Sequence, residues 1–191
     1  MNKLYIIAGP NGAGKTTASY TILPEIFECN EFVNADEIAK GLSPFNPEKV
    51  AFKAGRIMLE RIYELLENKE SFAFETTLST KSYAGLIKKA KKLNYEIMLL
   101  FLALDSHNLA LKRVQTRVKE GGHNIPEEVI KRRFENGLHN LFNLYIPLVD
   151  KWLLIDNSRE KFEFIGEGTN SETIVKNEKI WNILKNKYYG N

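Results

Sequence analysis

The sequence lacks most features that mark secreted, membrane-spanning or nucleic-acid-binding proteins. It contains one cysteine, Cys29, which excludes a disulfide within the chain. Its longest apolar stretch, residues 97–104, is far shorter than the roughly 20 residues that cross a bilayer, and no secretory signal is visible. A net charge of +3 is too small to indicate nucleic-acid binding by itself. We therefore expect a cytoplasmic protein with no membrane segment and no nucleic-acid partner.

The composition is that of an ordinary globular protein. The chain has 191 residues, of which 43% are hydrophobic and 27% are charged. A chain of this length buries roughly 70% of the surface that its unfolded form exposes, so its core needs no disulfide or metal. We expect a single domain that covers residues 1–191.

Short apolar runs alternate with longer amphipathic segments, which predicts an α/β fold. The predicted strands are residues 4–8, 32–34, 71–74, 96–104 and 152–155. The predicted helices between them are 16–23, 37–40, 47–68 with Asn46 as N-cap, 106–119, and 126–145 with Asn124 as N-cap and Glu127 as its capping-box partner. Residues 162–175 predict a small hairpin that turns at 166–170, and 178–187 a closing helix. We therefore expect a five-stranded, mainly parallel sheet with helices on both faces and a small C-terminal hairpin and helix.

A phosphate-binding loop follows the first predicted strand and precedes a helix. It matches the Walker A pattern G-x-x-x-x-G-K-[ST] with Gly9, Pro10, Asn11, Gly12, Ala13, Gly14, Lys15 and Thr16. In this setting the backbone N–H groups and the helix N-terminus bind phosphates, and Lys15 brings a positive charge to the outer ones. Thr16 offers its hydroxyl to Mg²⁺, and Thr17 completes the expected nucleotide-binding set. We therefore expect ATP and Mg²⁺ as cofactors.

Other motifs restrict the class of nucleotide-binding protein. The sequence contains neither the [NT]-K-x-D and D-x-x-G motifs of a GTPase nor the L-S-G-G-Q-like string of an ABC-type ATPase. A small-molecule kinase is the natural interpretation. Such an enzyme needs an acidic group beside the phosphate loop and a mobile basic segment that closes over the transferring phosphoryl group.

Acidic side chains follow the predicted strands at the edge where parallel sheets bind ligands. Asp36 is a candidate general base for a substrate hydroxyl, or else the N-cap of a short helix. Glu75, which precedes Thr76 and Thr77, is placed to orient Mg²⁺ or to hold the substrate. The alternative for Glu75 is a solvated carboxylate at a strand end.

Two further strand-end acids are weaker candidates. Asp105 is expected to cap the following helix. Asp156, together with Asn157 and Ser158, is placed to lie along the adenine edge. We therefore include Asn157 among the expected nucleotide contacts.

Basic residues concentrate at about 113–133, which we interpret as a lid. Arg113 and Arg117 lie one helical turn apart and share a face, where a polyphosphate would offset their mutual repulsion. Arg132 and Arg133 are adjacent, so at most one of them faces the same site. We assign Arg113, Arg117 and Arg133 to catalysis.

The predicted lid includes the glycine-containing loop 121–126, which suits a hinge. For each arginine alone, the alternative is a surface salt bridge with a nearby glutamate. As a set, the arginines favour a lid. The run Lys81, Lys88, Lys89, Lys91 and Lys92 is typical of a solvated helix face, although it is the best starting point for a nucleic-acid hypothesis.

Together these motifs resemble the zeta-toxin-like family of bacterial P-loop kinases, in its shorter stand-alone branch. The likeness covers most of residues 3–157 and rests on residues 9–17, 32–36, 41–47, 74–77 and 121–126. It implies a three-layer P-loop NTPase fold with strand order 2-3-1-4-5, use of ATP with Mg²⁺, and phosphorylation of a hydroxyl on UDP-N-acetylglucosamine. It also implies Asp36 as the base, Glu75 and Thr77 on the substrate side, Arg113 at the phosphates, and an antitoxin protein as a partner.

One motif departs from the family pattern. Zeta toxins usually place an arginine just ahead of the lid proline, where this chain has Gly122, His123 and Asn124. Arg117, Arg132 or Arg133 must then take its role.

The sequence thus predicts an ATP-dependent phosphotransferase that acts on a hydroxyl of a small metabolite, with a UDP-sugar as the favoured acceptor. Two alternatives stay open at this point. One is a kinase for nucleosides or polynucleotide ends. The other is a nucleotide-binding regulatory module with little turnover.

Overall fold

The apolar runs form one seven-stranded β-sheet in the computed structural model, which describes residues 1–119 and 124–190. The strands are β1 (Lys3–Ala8), β2 (Phe32–Val33), β3 (Phe72–Thr76), β4 (Glu96–Ala103), β5 (Lys151–Asp156), β6 (Glu163–Thr169) and β7 (Thr173–Val175). They lie in the order β2-β3-β1-β4-β5-β6-β7. The first five are parallel, whereas β6 and β7 pair antiparallel. The expected order 2-3-1-4-5 is confirmed, but the sheet has seven strands rather than five because the C-terminal hairpin joins it at β5.

Helices connect the strands, and each corresponds to a predicted helix except α4, which the sequence indicated only through the lysine run. Among the described residues they are α1 (Lys15–Glu25), α2 (Ala35–Leu42), α3 (Ala51–Glu67), α4 (Tyr83–Lys92), α5 (His107–Lys119), α6 (Glu127–Asn140) and α7 (Glu178–Tyr188). A 3₁₀ turn, Pro47–Val50, leads into α3, and a π-helical turn, Leu141–Tyr145, extends α6. No helix in the described part of the chain is both long and apolar enough to cross a membrane.

The core lies on both faces of the central strands. Most residues of β1 and β4 are almost completely buried, and among them are Leu4, Ile6, Leu99 and Phe101. Parallel strands that are covered on both faces are continuously apolar, which explains why these runs show no alternation. As a result, the carboxyl ends of β1, β2 and β3 meet at one edge of a rigid sheet.

The predicted hairpin turn at 166–170 is wrong. Gly166 and Gly168 lie inside β6, and the chain turns after Thr169. A Cβ atom on Gly168 would lie 2.8 Å from the Trp152 ring, and one on Gly166 would lie 3.5 Å from the Trp181 ring. Gly168 therefore makes room for the Trp152 ring, whereas a side chain at position 166 would only touch the Trp181 ring, and neither glycine forms the turn.

Several predicted helix caps are also wrong. Helix α6 begins at Glu127 after Pro126, with no side-chain cap from Asn124. Asn46 makes no capping hydrogen bond, because the 3₁₀ turn intervenes before α3. At α5 the Leu109 N–H donates to the Ser106 hydroxyl at 3.3 Å, so Ser106 takes the role expected of Asp105.

Candidate active site

The loop between β1 and α1 has the backbone geometry of a phosphate-binding loop. Gly9, Gly12 and Gly14 adopt φ angles of 143°, 77° and 78°, which favour glycine. The loop folds back on itself through a hydrogen bond from the Ala13 N–H to the Pro10 carbonyl at 3.2 Å. Helix α1 begins directly after Gly14, so its N-terminus points at the loop.

Lys15 is held beneath this loop. Its side chain is almost completely buried, with Nζ 3.1 Å from the Pro10 carbonyl oxygen and 3.5 Å from Glu75 Oε1. A buried ammonium group needs such partners because its desolvation is costly. Lys15 is thus fixed beside the loop with a carboxylate as its counter-charge.

Glu75 connects β3 with the start of α1 and with the segment between β2 and α2. Its Oε2 accepts hydrogen bonds at 2.8 Å from both the Thr16 hydroxyl and the Asn34 side-chain amide. Since Oε1 pairs with Lys15, both carboxylate oxygens have partners. The side chain of Glu75 is only 10% exposed, and this fixes its orientation. Glu75 is therefore not the solvated strand-end carboxylate that was the alternative.

Asn34 is a site residue that the sequence analysis did not single out. Its Oδ1 accepts hydrogen bonds from the N–H groups of Asp36 at 2.8 Å and Glu37 at 3.3 Å, so Asn34 is the N-cap of α2. The alternative role of Asp36 as the N-cap is therefore wrong. An asparagine that directly follows a strand and precedes a helical pattern was the available signal.

Asp36 stands in the first turn of α2 and is exposed to the cleft. Glu37, the next residue, forms an exposed ion pair with Lys40 at 2.6 Å. Asp36 is therefore the acid on this wall that is most open to a ligand.

Arg113 lies against backbone carbonyls. Its guanidinium donates to the carbonyl oxygens of Asn157 at 2.8 Å, Ser158 at 3.1 Å and Gly12 at 3.4 Å. Asn157 in turn donates to the Ala13 carbonyl at 2.8 Å. Arg113 and Asn157 thus connect the loop after β5 to the phosphate loop.

The remaining arginines differ in position. Arg117 lines the cleft and is exposed. Arg133 is partly buried with Nη1 3.5 Å from Asn11 Oδ1, whereas Arg132 is exposed. Burial lowers the pKa of Arg133, and the nearby Asp36 carboxylate counteracts this. Arg133 therefore faces the phosphate loop. Within the predicted lid, residues 120–123 lie outside the part of the chain that the structure describes.

Thr76 and Thr77 belong to a segment that α6 and the π-helical turn hold in place. The Thr76 hydroxyl accepts from the Leu78 N–H at 3.0 Å, and the Thr77 hydroxyl lies 2.9 Å from that of Ser79. Asn140 donates to the Leu78 carbonyl at 2.8 Å. Glu75 therefore lies at the penultimate position of β3, just before a well-fixed turn.

The cleft between the phosphate loop and α2 has a volume of about 290 Å³. It is lined by Asn11, Gly12, Gly14, Lys15, Thr16, Thr17, Asp36, Glu37, Ala39, Lys40, Pro47, Ala51, Glu75, Arg113 and Arg117. Among the predicted site residues, Gly9, Pro10, Ala13, Thr76, Thr77, Arg133 and Asn157 lie outside this lining. The structure thus brings phosphate-binding, acidic and basic groups into one cavity.

The lysine run on α4 is partly neutralised. Lys89 pairs with Glu67 at 3.8 Å, and Lys91 pairs with Asp150 at 3.0 Å. These ion pairs agree with a solvated helix face.

Comparisons with known proteins were made by family, by sequence and by structure. The family model described as Zeta toxin matches residues 2–169. An uncharacterised protein of Haemophilus influenzae is 29% identical over 133 residues, which are 70% of this chain and 93% of that protein.

Structural neighbours have low sequence identity. A chain of the AvrRxo1-ORF1:AvrRxo1-ORF2 complex has a TM-score of 0.76 at 17% identity. The match covers 96% of this chain but only 63% of the AvrRxo1 chain. A chain of the PezAT chromosomal toxin–antitoxin system of Streptococcus pneumoniae has a TM-score of 0.69 at 16% identity, with 100% of this chain and 80% of that chain covered. A gluconokinase from Sinorhizobium meliloti has a TM-score of 0.52 at 15% identity, with 83% of each chain covered. At such identities these likenesses show a common fold, the one that the sequence predicted.

Proposed function

The chain belongs to the zeta toxin family, and from this we propose that it is an ATP-dependent kinase that phosphorylates a hydroxyl group of a small metabolite. The acceptor that we favour is a UDP-sugar such as UDP-N-acetylglucosamine. One observation carries the proposal. Lys15, Thr16 and Glu75 form a bonded cluster at the phosphate loop, and Asp36 faces the same cleft.

ATP is the nucleotide that this site suits. The amides of the loop and the N-terminus of α1 would bind its phosphates, together with Lys15 and the hydroxyls of Thr16 and Thr17. Arg113 and Asn157 hold the wall that continues from the phosphate loop, where the rest of the nucleotide would lie. One AvrRxo1 structure contains ATP, which supports this assignment by analogy of fold.

Mg²⁺ fits the donors at this place. It prefers oxygen ligands and usually keeps several waters around one or two protein groups. The Thr16 hydroxyl and the Glu75 carboxylate are such groups and lie 2.8 Å apart. In the described residues no cluster of three or more His, Cys, Asp or Glu side chains could hold a metal alone, so the nucleotide would complete the site. When bound, Mg²⁺ would neutralise charge on the outer phosphates.

The chemical step requires a base at the acceptor hydroxyl and positive charge around the transferring phosphoryl group. Asp36 would accept the proton of the acceptor hydroxyl while the oxygen of that hydroxyl forms a bond to the γ-phosphorus of ATP. The bond from that phosphorus to the bridging oxygen breaks, and ADP leaves. Lys15, Arg117 and Arg133 would stabilise the transferring group, while Thr76 and Thr77 would support the acceptor side beyond Glu75.

An antitoxin protein is the macromolecular partner that we propose. The support is the neighbour from the PezAT toxin–antitoxin system, which covers 100% of this chain. The family assignment points in the same direction.

Labelled ATP offered with a panel of UDP-sugars, nucleosides and oligonucleotides tests the proposal directly. We expect a phosphorylated UDP-sugar. Asp36→Asn should lower kcat for that acceptor by about 10²- to 10⁴-fold, the usual contribution of a general base, with little change in ATP affinity. Glu60→Gln, an exposed change on α3, is the control and should leave both unchanged.

Two outcomes would contradict these assignments. If Asp36→Asn turned over the acceptor as fast as wild type, Asp36 would not be the base. If the protein bound ATP but phosphorylated none of the acceptors, the proposed kinase activity would be wrong and a regulatory module would be favoured.

A further inference from the structure

One buried amide, that of Asn34, connects Glu75 with Asp36, two of the three acidic residues that line the cleft. The residue is only 5% exposed, and both ends of its side chain have partners. Oδ1 accepts from the N–H groups of Asp36 and Glu37, and Nδ2 donates to Glu75 Oε2 at 2.8 Å. Nδ2 also lies 3.5 Å from the Thr16 hydroxyl oxygen. Asn34 therefore contacts α1, α2 and the end of β3 at once.

The two ends of this amide do different things. The acceptor end caps α2 and so fixes the first turn, which carries Asp36. The donor end holds the Oε2 atom of Glu75 beside Thr16. A side chain needs both a donor and an acceptor in a rigid plane to do this, and among the short side chains that cap helices well only asparagine has both without a rotatable hydroxyl.

We infer that Asn34 is a positioning residue for the proposed phosphoryl transfer. It fixes the position of the Glu75 carboxylate relative to Thr16, and the position of the Asp36 carboxylate relative to Glu75 and Thr16. The inference rests on the proposed function. Asn34 touches no reacting atom, and it acts through Glu75 and through the first turn of α2. Groups that orient a ligand of a metal ion in this way commonly contribute about 10- to 100-fold to metal affinity or activity.

Asn34→Asp separates the two contributions of the side chain. It keeps an oxygen acceptor for the N–H groups of α2, so the cap survives, but it replaces the donor to Glu75 by a second carboxylate oxygen. Asn34→Ser provides an independent variant, because a serine also caps helices but is too short to reach Glu75. Both variants therefore retain the helix cap and lose the contact with Glu75.

Asn177→Asp is the matched control. Asn177 caps α7 by accepting from the Ile180 N–H at 2.9 Å, and its amide donates to Glu163. It thus has the same chemistry as Asn34, but its partners Glu163 and Ile180 do not line the cleft, whereas those of Asn34 do. Any effect of an asparagine-to-aspartate change on a helix cap alone would appear in this variant too.

The experiment measures ATP affinity with and without Mg²⁺, the Mg²⁺ concentration that gives half-maximal phosphoryl transfer, and the melting temperature. We expect Asn34→Asp and Asn34→Ser to raise the required Mg²⁺ concentration by about 10- to 100-fold. Their ATP affinity without Mg²⁺ should stay within about twofold of wild type, and Asn177→Asp should behave as wild type in both measurements. Asn34→Asp should melt below Asn177→Asp, because its new carboxylate would be buried beside that of Glu75. Asn34→Ser adds no charge and therefore isolates the loss of the contact with Glu75.

The outcomes separate this inference from the proposed function. If wild type is active and the Asn34 variants require no more Mg²⁺ than Asn177→Asp, the inference is wrong and the kinase proposal stands. If wild type binds ATP with Mg²⁺ but transfers no phosphoryl group, the kinase proposal is wrong, and the dependence of ATP affinity on Mg²⁺ still decides the role of Asn34. A chain that binds no ATP overturns both.

Discussion

At the scale of single residues, the phosphate loop depends on Gly9 at the end of β1. A Cβ atom at this position would lie 2.3 Å from the Leu102 carbonyl oxygen of β4, with φ at 143°. The loop can therefore leave the sheet here only because residue 9 has no side chain. Since the neighbour is backbone of a central strand, it has no room to move.

Gly9→Ala should destabilise the protein by about 1–3 kcal/mol, the usual cost of overpacking a well-packed region. Urea unfolding monitored by circular dichroism would measure the change. The matched control is Gly55→Ala in α3, where a Cβ atom would meet nothing within 4 Å. That change should stabilise the protein by about 0.5–1 kcal/mol, because alanine is the better helix former. Equal unfolding midpoints for the two variants would contradict this account.

The residues of the candidate site were predictable where a local sequence pattern indicates them. Lys15 and Thr16 belong to a recognisable loop, and Asp36 and Glu75 directly follow strands. Asn34 was missed as a site residue because its importance comes from a contact with Glu75, which is 41 residues away in sequence. Local patterns predict a capping asparagine, but no local pattern predicts what the other end of the amide contacts.

At the scale of elements, α6 and the π-helical turn hold both sides of the cleft. Arg133 of α6 faces Asn11 of the phosphate loop, and Gly137 lies so close to the turn after β3 that a Cβ atom would be 2.5 Å from the Thr77 carbonyl oxygen. Tyr145, at the end of the π-helical turn, donates to the Thr80 carbonyl at 2.6 Å. This one segment therefore sets the distance between the phosphate loop and the turn that follows Glu75.

Tyr145→Phe should lower the free energy of unfolding at pH 8 by about 1 kcal/mol, the typical net contribution of one hydrogen bond. Burial raises the pKa of the Tyr145 phenol from 10.0 to about 12. As the pH rises above 10, the Tyr145 phenol therefore ionises in the unfolded chain before it ionises in the folded protein. Wild type thus loses stability between about pH 10 and pH 12. At pH 11 this contribution is about 1 kcal/mol, and it is absent from Tyr145→Phe. Free energies of unfolding at both pH values, measured by urea denaturation, check the prediction.

Tyr20→Phe is the control for the alkaline loss, because Tyr20 lies exposed on α1. This variant should lose as much stability as wild type between pH 8 and pH 11. If Tyr145→Phe also lost as much as wild type, ionisation of the buried phenol would not contribute.

Element order was predictable, whereas several element ends were not. Continuous apolar runs sufficed for the parallel strands, whereas the order 2-3-1-4-5 followed from the resemblance to the zeta-toxin-like family. Gly166 and Gly168 were misassigned to a turn because glycine serves both turns and close packing, and the Trp152 ring that requires glycine at position 168 comes from β5. Sequence spacing does not reveal which distant side chain a glycine accommodates.

At the scale of the whole molecule, a tryptophan cluster joins the C-terminal hairpin and α7 to the sheet. The Trp152 and Trp181 rings stack with centroids 5.6 Å apart, and Phe142 meets the edge of Trp181 at the same distance. The family model ends at residue 169, so β7 and α7 lie beyond the matched region. The cluster packs α7 against β5, while β7 pairs with β6 and Asn143 donates to the Tyr188 carbonyl of α7 at 2.6 Å.

Trp181→Ala should lower the free energy of unfolding by about 2 kcal/mol, near the low end for a large apolar side chain because Trp181 is only partly buried. ATP affinity should not change, since the cleft lies beside β1, β2 and β3, whereas Trp181 packs beside β5 and β6. Urea unfolding and a nucleotide titration measure the two quantities. Ile183→Ala, at an exposed position of the same helix, should change neither. A loss of ATP affinity in Trp181→Ala at temperatures where it stays folded would contradict this separation.

The lengths of the strands have a consequence for how the protein behaves at high concentration. The two edges of the sheet are formed by β2, with two residues, and β7, with three, while the longest strand, β4, lies in the middle. Exposed edge strands with unpaired N–H and C=O groups are the usual templates for aggregation. Because the edges of this sheet are its shortest strands, they offer another chain few backbone partners, and the protein should resist edge-to-edge aggregation.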